Sequence, residues 1–389
     1  MMTRFTNAQV ILPDSIQRGS IEVREGRITR IARGGKTNGD AFDLRGGYLA
    51  PGFVDLHIHG ALGRDTMEGT ADAFRVITEF HLRGGTTSIA LTTVTAAESE
   101  VLRVLEAAKP WHNRSLGGSR VIGVHVEGPF ISKAKSGAQN PGEIRPPVAS
   151  EWRKYLRYGS LIAEMTLAPE EPGALPLIAA LRKNGSIVSG GHTNATEDQL
   201  QPALEAGLNH ATHTFNCMST AAKRGPYRVA GMLEFALAHK EISCELIADG
   251  VHVAPTLMKM LFNAKGRDGV CLITDAMAGA GLKPGTLFQA GSENSLAARV
   301  TEEAALTADG AALAGSTLTM VEAVRRSVQL GGASLVDAVR MATLNPARQL
   351  RRDGEFGSLE RGKRADLVWF DREFRVRGVW LDGDVRFLV

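Results

Sequence analysis

Cysteine is scarce in this chain, with three residues in 389, and Cys217, Cys244 and Cys271 show no paired spacing. A disulfide framework is thereby disfavoured and a reducing compartment, the cytoplasm, is expected. Long apolar runs are also missing. No stretch approaches the roughly 18 residues of a membrane span, and the opening MMTRFTNAQVILPDS has no apolar core of signal-peptide length. A membrane-spanning chain and a cleavable export signal are both disfavoured. Charge of one sign is lacking too: the net charge is only +3 and the basic residues are dispersed, so neither nucleic acid nor an anionic membrane is the expected partner. What remains, 43% hydrophobic and 22% charged residues, is the composition of a soluble globular protein with a sizeable core.

The texture changes along the chain. From Phe5 to Leu49 short strand-like segments alternate with Gly and Asn turns, as in GSIEVREGRITRIAR. From Gly52 onward, β-branched apolar runs alternate with helical patterns, which is how parallel βα units read. Eight such runs occur up to the one holding Asp275: FVDLH, TTSIALTTV, RVIGVHVEG, LIAEMTLAP, SIVSGGH, HATHTF, ISCELIADG and VCLITDAM. The expected fold is therefore α/β, a TIM-type (β/α)8 barrel over residues 52–346. The tail, ADLVWFDREFRVRGVWLDGDVRFLV, is strand-like again, so residues 1–51 and 347–389 are expected to form one small β-sandwich domain from both termini.

In such a barrel the reactive side chains lie where strands end and βα loops begin. The first run ends in VDLHIHG, and side-chain alternation along a strand points His57 and His59 the same way. The third ends with Glu127, the fifth with His192, the sixth with His213, the seventh with Asp249 and His252, and the eighth with Asp275. Each alone has a structural explanation, such as a hydrogen-bonded core histidine or a helix cap. Together they suit a divalent ion, Zn²⁺ or similar, with an open position for water. A metal on Glu127, His192 and His213 would acidify water toward a pKa of about 7 and polarise a carbonyl. Asp275 is the natural general base, returning the proton to a leaving nitrogen. His57 and His59 could hold a second metal, giving one or two ions per subunit.

The motifs YLAPGFVDLHIHG, HVEGPF, GHTNA, ATHTFNCM, ADGVHV, TDAM and LAGSTLTM, followed by NPARQLRRDGEFGSLERGKRADLV, resemble the amidohydrolase superfamily and, within it, the N-acetylglucosamine-6-phosphate deacetylase family. The resemblance implies metal-dependent hydrolysis of the acetamido group of an amino sugar 6-phosphate. It implies Glu127, His192 and His213 as metal ligands, His57 and His59 as ligands or near-ligands, and Asp275 as the acid/base. For the substrate it implies Asn216, the backbone of Cys217, Arg224 at the phosphate, His252 with the adjoining Asp249, and an edge formed by Leu313, Ala314 and Gly315. It also implies a homodimer.

Two segments depart from the family pattern. The loop after the third strand reads KSGAQNP, with Gln139 following Ala138 where the family has a histidine, and the segment after Arg224 reads RGPY instead of REPG. A glutamine can hydrogen-bond a hydroxyl but cannot carry positive charge. Both changes fall on substrate recognition. Another N-acyl substrate is the alternative: a different N-acetylhexosamine 6-phosphate, an unphosphorylated amino sugar or an N-acyl amino acid. His125 is open between a structural role and one behind the ligands; His81, His112, His210 and His239 are expected in core or surface settings.

Overall fold

The structure, a computed structural model, describes residues 2–34, 41–291 and 297–389. Eight parallel strands form the expected barrel: β1 (Phe53–Ile58), β2 (Thr86–Thr92), β3 (Arg120–Glu127), β4 (Ile162–Leu167), β5 (Ile187–Gly190), β6 (His210–Ala211), β7 (Ser243–Ile247) and β8 (Val270–Ile273). They pair in sequence order from β1 to β8. Closure comes at the ends of β1 and β8, where Asp275 donates its backbone N–H to the His57 carbonyl at 2.9 Å and Thr274 Oγ1 donates to Asp55 at 2.6 Å. All eight strands are buried along their length, which explains why they read as near-continuous apolar runs.

The helices show why their segments fold as they do. In Ala71–Arg83, Phe74, Ile77, Thr78, His81 and Leu82 recur at three- and four-residue spacing and are buried. Thr70 caps the helix by accepting from Ala73 N–H at 3.2 Å, and Gly84 follows its last turn. Burying Phe74, Ile77 and Leu82 contributes about 1.5–3 kcal/mol each.

Strands from both termini share one sheet, in the order Asp384–Leu388, Val376–Leu381, Leu367–Phe370, Tyr48–Pro51, Met2–Ile11, Ile16–Arg24, Arg27–Arg33. Its core holds Phe5, Val10, Ile21, Leu49, Leu367 and Trp380. Within the β unit expected over the first fifty residues, positions 35–40 lie outside the described residues. The chain passes from sheet to barrel at Gly52, where a Cβ would lie 2.2 Å from the Thr87 side chain, so only glycine fits. The sheet is also tied to the barrel by Arg120 at the start of β3, whose guanidinium bonds Asp366 at 2.6 Å and Asp382 at 2.5 Å.

Two features differ from the strand pattern expected. The sixth strand is only two residues long, His210–Ala211; beyond it the Thr212 N–H still donates to the Gly190 carbonyl at 3.1 Å, and the Thr212 hydroxyl shares hydrogen bonds with the Ser189 and Thr166 hydroxyls at 2.6 and 2.7 Å. An antiparallel hairpin, Ala222–Arg224 with Tyr227–Val229, then projects from the following loop. Strands at Leu287–Gln289, Ala297–Val300 and Ala305–Thr307 make a further small sheet beside the barrel mouth, packing Phe288 and Val300 against Met277 and Ala314.

Candidate active site

The strand ends bring the expected donors together. Glu127 Oε1 lies 3.2 Å from His192 Nε2 and 3.2 Å from His213 Nε2, and the two imidazole nitrogens are 3.1 Å apart. Donors held at 2.0–2.1 Å around a tetrahedral ion are about 3.4 Å from one another, so this triangle has the size of a metal site. A second group lies beside it: His57 Nε2 and His59 Nε2 are 3.2 Å apart, with Asp275 Oδ1 at 3.6 and 3.2 Å from them. Glu127 stands between the groups, its Oε2 being 3.4 Å from His59 Nε2.

Tautomers decide whether a cation fits. His192 gives its Nδ1–H to the Lys135 carbonyl at 2.8 Å, and His57 gives its Nδ1–H to Glu245 Oε2 at 3.0 Å. In their neutral forms both rings therefore aim an Nε2 lone pair at the cluster. Lone pairs and carboxylate oxygens facing one another at these distances repel unless positive charge lies among them. The electrostatics agree. Burial lowers the pKa of His192, yet hydrogen bonds to Cys217 and Glu127, together with the Glu127 charge, raise it from 6.5 to about 10, so positive charge is favoured at that position. Burial likewise works against ionised Glu127, but the His57 charge and the hydrogen bonds of His192 and His213 hold its carboxyl well below the usual range. The donor set fits a divalent metal.

Backbone strain concentrates here. His192, His213, Phe215, Cys217 and Asp275 all have positive φ, between 26° and 83°, a region side-chain-bearing residues seldom adopt. Gly315 packs behind Asp275; a Cβ there would lie 2.8 Å from the Asp275 carbonyl oxygen. Ser316 N–H donates to that same carbonyl at 2.8 Å, holding the backbone from which the carboxylate projects.

A cavity of about 300 Å³ opens from this centre. Of the residues expected there, His59, Glu127, His192, His213 and Asp275 form its floor. Ala138, Gln139, Asn216, Cys217, His252, Leu313, Ala314 and Gly315 line its walls. His57 lies behind the floor, wholly buried. Asp249 reaches the cavity through His252, accepting its Nδ1–H at 2.6 Å. Arg224 stands apart from the lining: it sits on the exposed hairpin and bonds Thr196 Oγ1 at 2.8 Å. Gln139 points at Glu127, donating from Nε2 to Oε2 at 2.6 Å.

Beneath the cluster lie His125 and His210, for which the sequence left a buried role open, and two glutamates, Glu164 and Glu245, that sequence reasoning passed over. The barrel interior below the cluster is filled by His125, Glu164, His210 and Glu245, all fully buried, where most such barrels place Val, Ile and Leu. Glu245 accepts from His57 Nδ1 and, at 2.9 Å, from the backbone N–H of His213. Burial and the neighbouring Glu245 charge push the Glu164 carboxyl well above the usual range, toward its neutral form. A glutamate inside an otherwise apolar strand pattern, as in ISCELIADG and LIAEMTLAP, was the available signal.

Known proteins with this pattern agree. The profile of the amidohydrolase family matches residues 48–386. An N-acetylglucosamine-6-phosphate deacetylase of Bacillus subtilis is 34% identical over 380 residues, spanning 96% of this chain and 94% of that protein. An N-acetylgalactosamine-6-phosphate deacetylase of Escherichia coli O157:H7 is 35% identical over 338 residues, 87% of each chain. Among solved structures, a mutant N-acetyl-D-glucosamine-6-phosphate deacetylase from Mycobacterium smegmatis, in complex with N-acetyl-D-glucosamine-6-phosphate, superposes with a TM-score of 0.92 at 31% identity over 100% of both chains.

Proposed function

Because the chain belongs to the amidohydrolase family and to its N-acetylglucosamine-6-phosphate deacetylase group, we propose that it hydrolyses N-acetylglucosamine 6-phosphate to glucosamine 6-phosphate and acetate. The observation that carries this reading is the Glu127, His192 and His213 triangle at the cavity floor, with Asp275 Oδ1 beside it.

Glu127, His192 and His213 would hold a divalent ion, which would supply a Lewis acid for the acetamido carbonyl and an acidified water. We assign zinc to that triangle on its nitrogen and oxygen donors, and a second ion to His57 and His59. Asp275 takes one proton from the attacking water as the new C–O bond forms. It then passes that proton to the sugar nitrogen as the C–N bond breaks; the water's second proton leaves with the products, so acetate and the ammonium form of the amine depart with no net change in the enzyme. Asp275 Oδ1 lies 3.2 Å from His59 Nε2 and 3.6 Å from His57 Nε2; burial opposes its ionisation, but positive charge in this cluster, which a bound ion would supply, lowers its pKa and keeps it ready to accept. His252, oriented by Asp249, and Asn216, which donates to the His213 carbonyl at 3.2 Å, are proposed sugar contacts with Ala138, Cys217 and the 313–315 edge.

The barrel, residues 52–346, is taken as the hydrolase domain, and 1–51 with 347–389 as the small β domain. A homodimer would cover the exposed hairpin, where Tyr227 is 73% exposed, and would reposition Arg224 for the phosphate role assigned to it. Three free cysteines support the cytoplasm as its compartment. The galactosamine epimer is the second reading, favoured by the comparable identity to deacetylases of both sugars. Acetate release from the glucosamine, galactosamine and mannosamine N-acetyl 6-phosphates, beside unphosphorylated N-acetylglucosamine, tests all of this. A clear preference for the first substrate is expected; no release from any phosphorylated sugar would refute the reading.

A further inference from the structure

Gln139 lies on the loop after β3, is 8% exposed, and has both ends of its carboxamide committed. Its Oε1 accepts the Thr95 backbone N–H at 2.7 Å, and its Nε2 donates to Glu127 Oε2 at 2.6 Å. The amide cannot be reversed without facing the Thr95 N–H with a donor and the Glu127 carboxylate with an acceptor, so its orientation is fixed by the network. Occupied in this way, Glu127 has Oε2 engaged and Oε1 alone facing His192 and His213, each at 3.2 Å. The same loop holds the other side of the triangle. Ser132 N–H donates to the His192 carbonyl at 2.8 Å, and the Lys135 carbonyl receives His192 Nδ1–H at 2.8 Å. One short segment thus orients two of three donors from outside.

We infer that Gln139 is a positioning residue of the metal centre: it holds Glu127 so that a single oxygen is presented to the ion, and it tunes metal affinity more than substrate affinity. This rests on the proposed metal-dependent reading of the site. It also separates two roles open to the side chain, because Gln139 lines the cavity and could instead serve the sugar. A charged hydrogen bond to a buried carboxylate is among the stronger ones, and loss of such an outer partner lowers metal affinity by about 10–100-fold.

The test is chelator competition with Zn²⁺ on the purified full-length protein, which needs no substrate, followed by kinetics at saturating zinc. For Gln139→Ala, a Kd for zinc about 10–100-fold weaker is expected, with KM changed by less than about threefold. Gln139→Met, of similar length but without a donor, should behave the same and guards against a packing defect in the alanine variant. Gln139→Glu should weaken zinc at least as much, since a second carboxylate would face Glu127. Gln139→His should recover much of the affinity, because one ring nitrogen can accept from Thr95 while the other donates to Glu127. Unchanged zinc affinity in the alanine and methionine variants with a raised KM would overturn the inference and make Gln139 a sugar contact. Failure of the unmodified protein to bind zinc would instead refute the metal-centre reading on which it rests.

Discussion

The carboxylate of Glu245, in the middle of β7, lies 3.0 Å from Nδ1 of His57, at the end of β1. One side chain from two strands away around the barrel therefore sets which nitrogen of His57 faces the donor cluster. The same Oε2 also holds the His213 backbone N–H at 2.9 Å, so two separate donor loops depend on it.

Glu245→Ala should accordingly leave two buried N–H donors unpaired, each costing about 1–3 kcal/mol. We expect lower stability in urea denaturation and loss of metal at His57 before loss at the Glu127 triangle. Metal content by mass spectrometry after mild chelation checks the second part. Unchanged content would show that His57 needs no such support.

Asp275→Asn keeps the size of the side chain and removes its ability to take a proton. Metal content and substrate binding should persist while kcat falls by about a hundred- to ten-thousand-fold. Steady-state acetate release alongside metal analysis decides this; a near-normal kcat would assign the proton transfer elsewhere.

His81, buried under β1 with its Nε2–H donating to the Gly60 carbonyl at 3.3 Å, has its pKa pushed down by burial from 6.5 to about 4. Between those values the unfolded chain binds a proton that the folded chain does not. Stability contributed by neutral His81 is therefore present above about pH 6.5 and is lost as pH falls toward 4. His81→Gln, which keeps a donor without titrating, should remove about 3 kcal/mol of the fall over that interval. Urea unfolding of both proteins at several pH values measures the difference.

Arg120 is nearly inaccessible and has Asp366 as its buried counterion, their side chains being 6% and 3% exposed. Arg120→Met leaves that carboxylate buried without its cation and should cost about 3–5 kcal/mol. Adding Asp366→Asn should restore part of the loss, and a double-mutant cycle by denaturant unfolding quantifies it.

The barrel strands were readable because each is buried on both faces and so carries a continuous apolar signature, and the donors were readable because they sit where those signatures stop. His57 and His59 needed only alternation along one strand. What could not be read depends on register between distant strands. Glu245 meets His57 only after β7 and β1 have been placed around the closed barrel, and the Lys135 carbonyl, which fixes His192, carries no residue-type signal at all. Arg224 shows the opposite limit: its spacing from Asn216 matched a family pattern, but spacing does not say which way a hairpin projects. Gln139 was visible as a substitution for histidine; that it turns toward Glu127 follows from the Thr95 N–H, which no local pattern announces.

The shared sheet has a temporal meaning. Tyr48–Pro51 lies between Met2–Ile11 on one side and Leu367–Phe370 on the other, the latter pairing antiparallel. During synthesis the first neighbour is already present, whereas the second arrives after the whole barrel has been translated. At about 5–20 residues per second, that edge waits on the order of tens of seconds with its hydrogen-bonding groups open. A nascent chain in that interval carries an unsealed strand edge, the feature through which sheets recruit other chains, so the last strands made finish the small sheet and also close its window for misassociation.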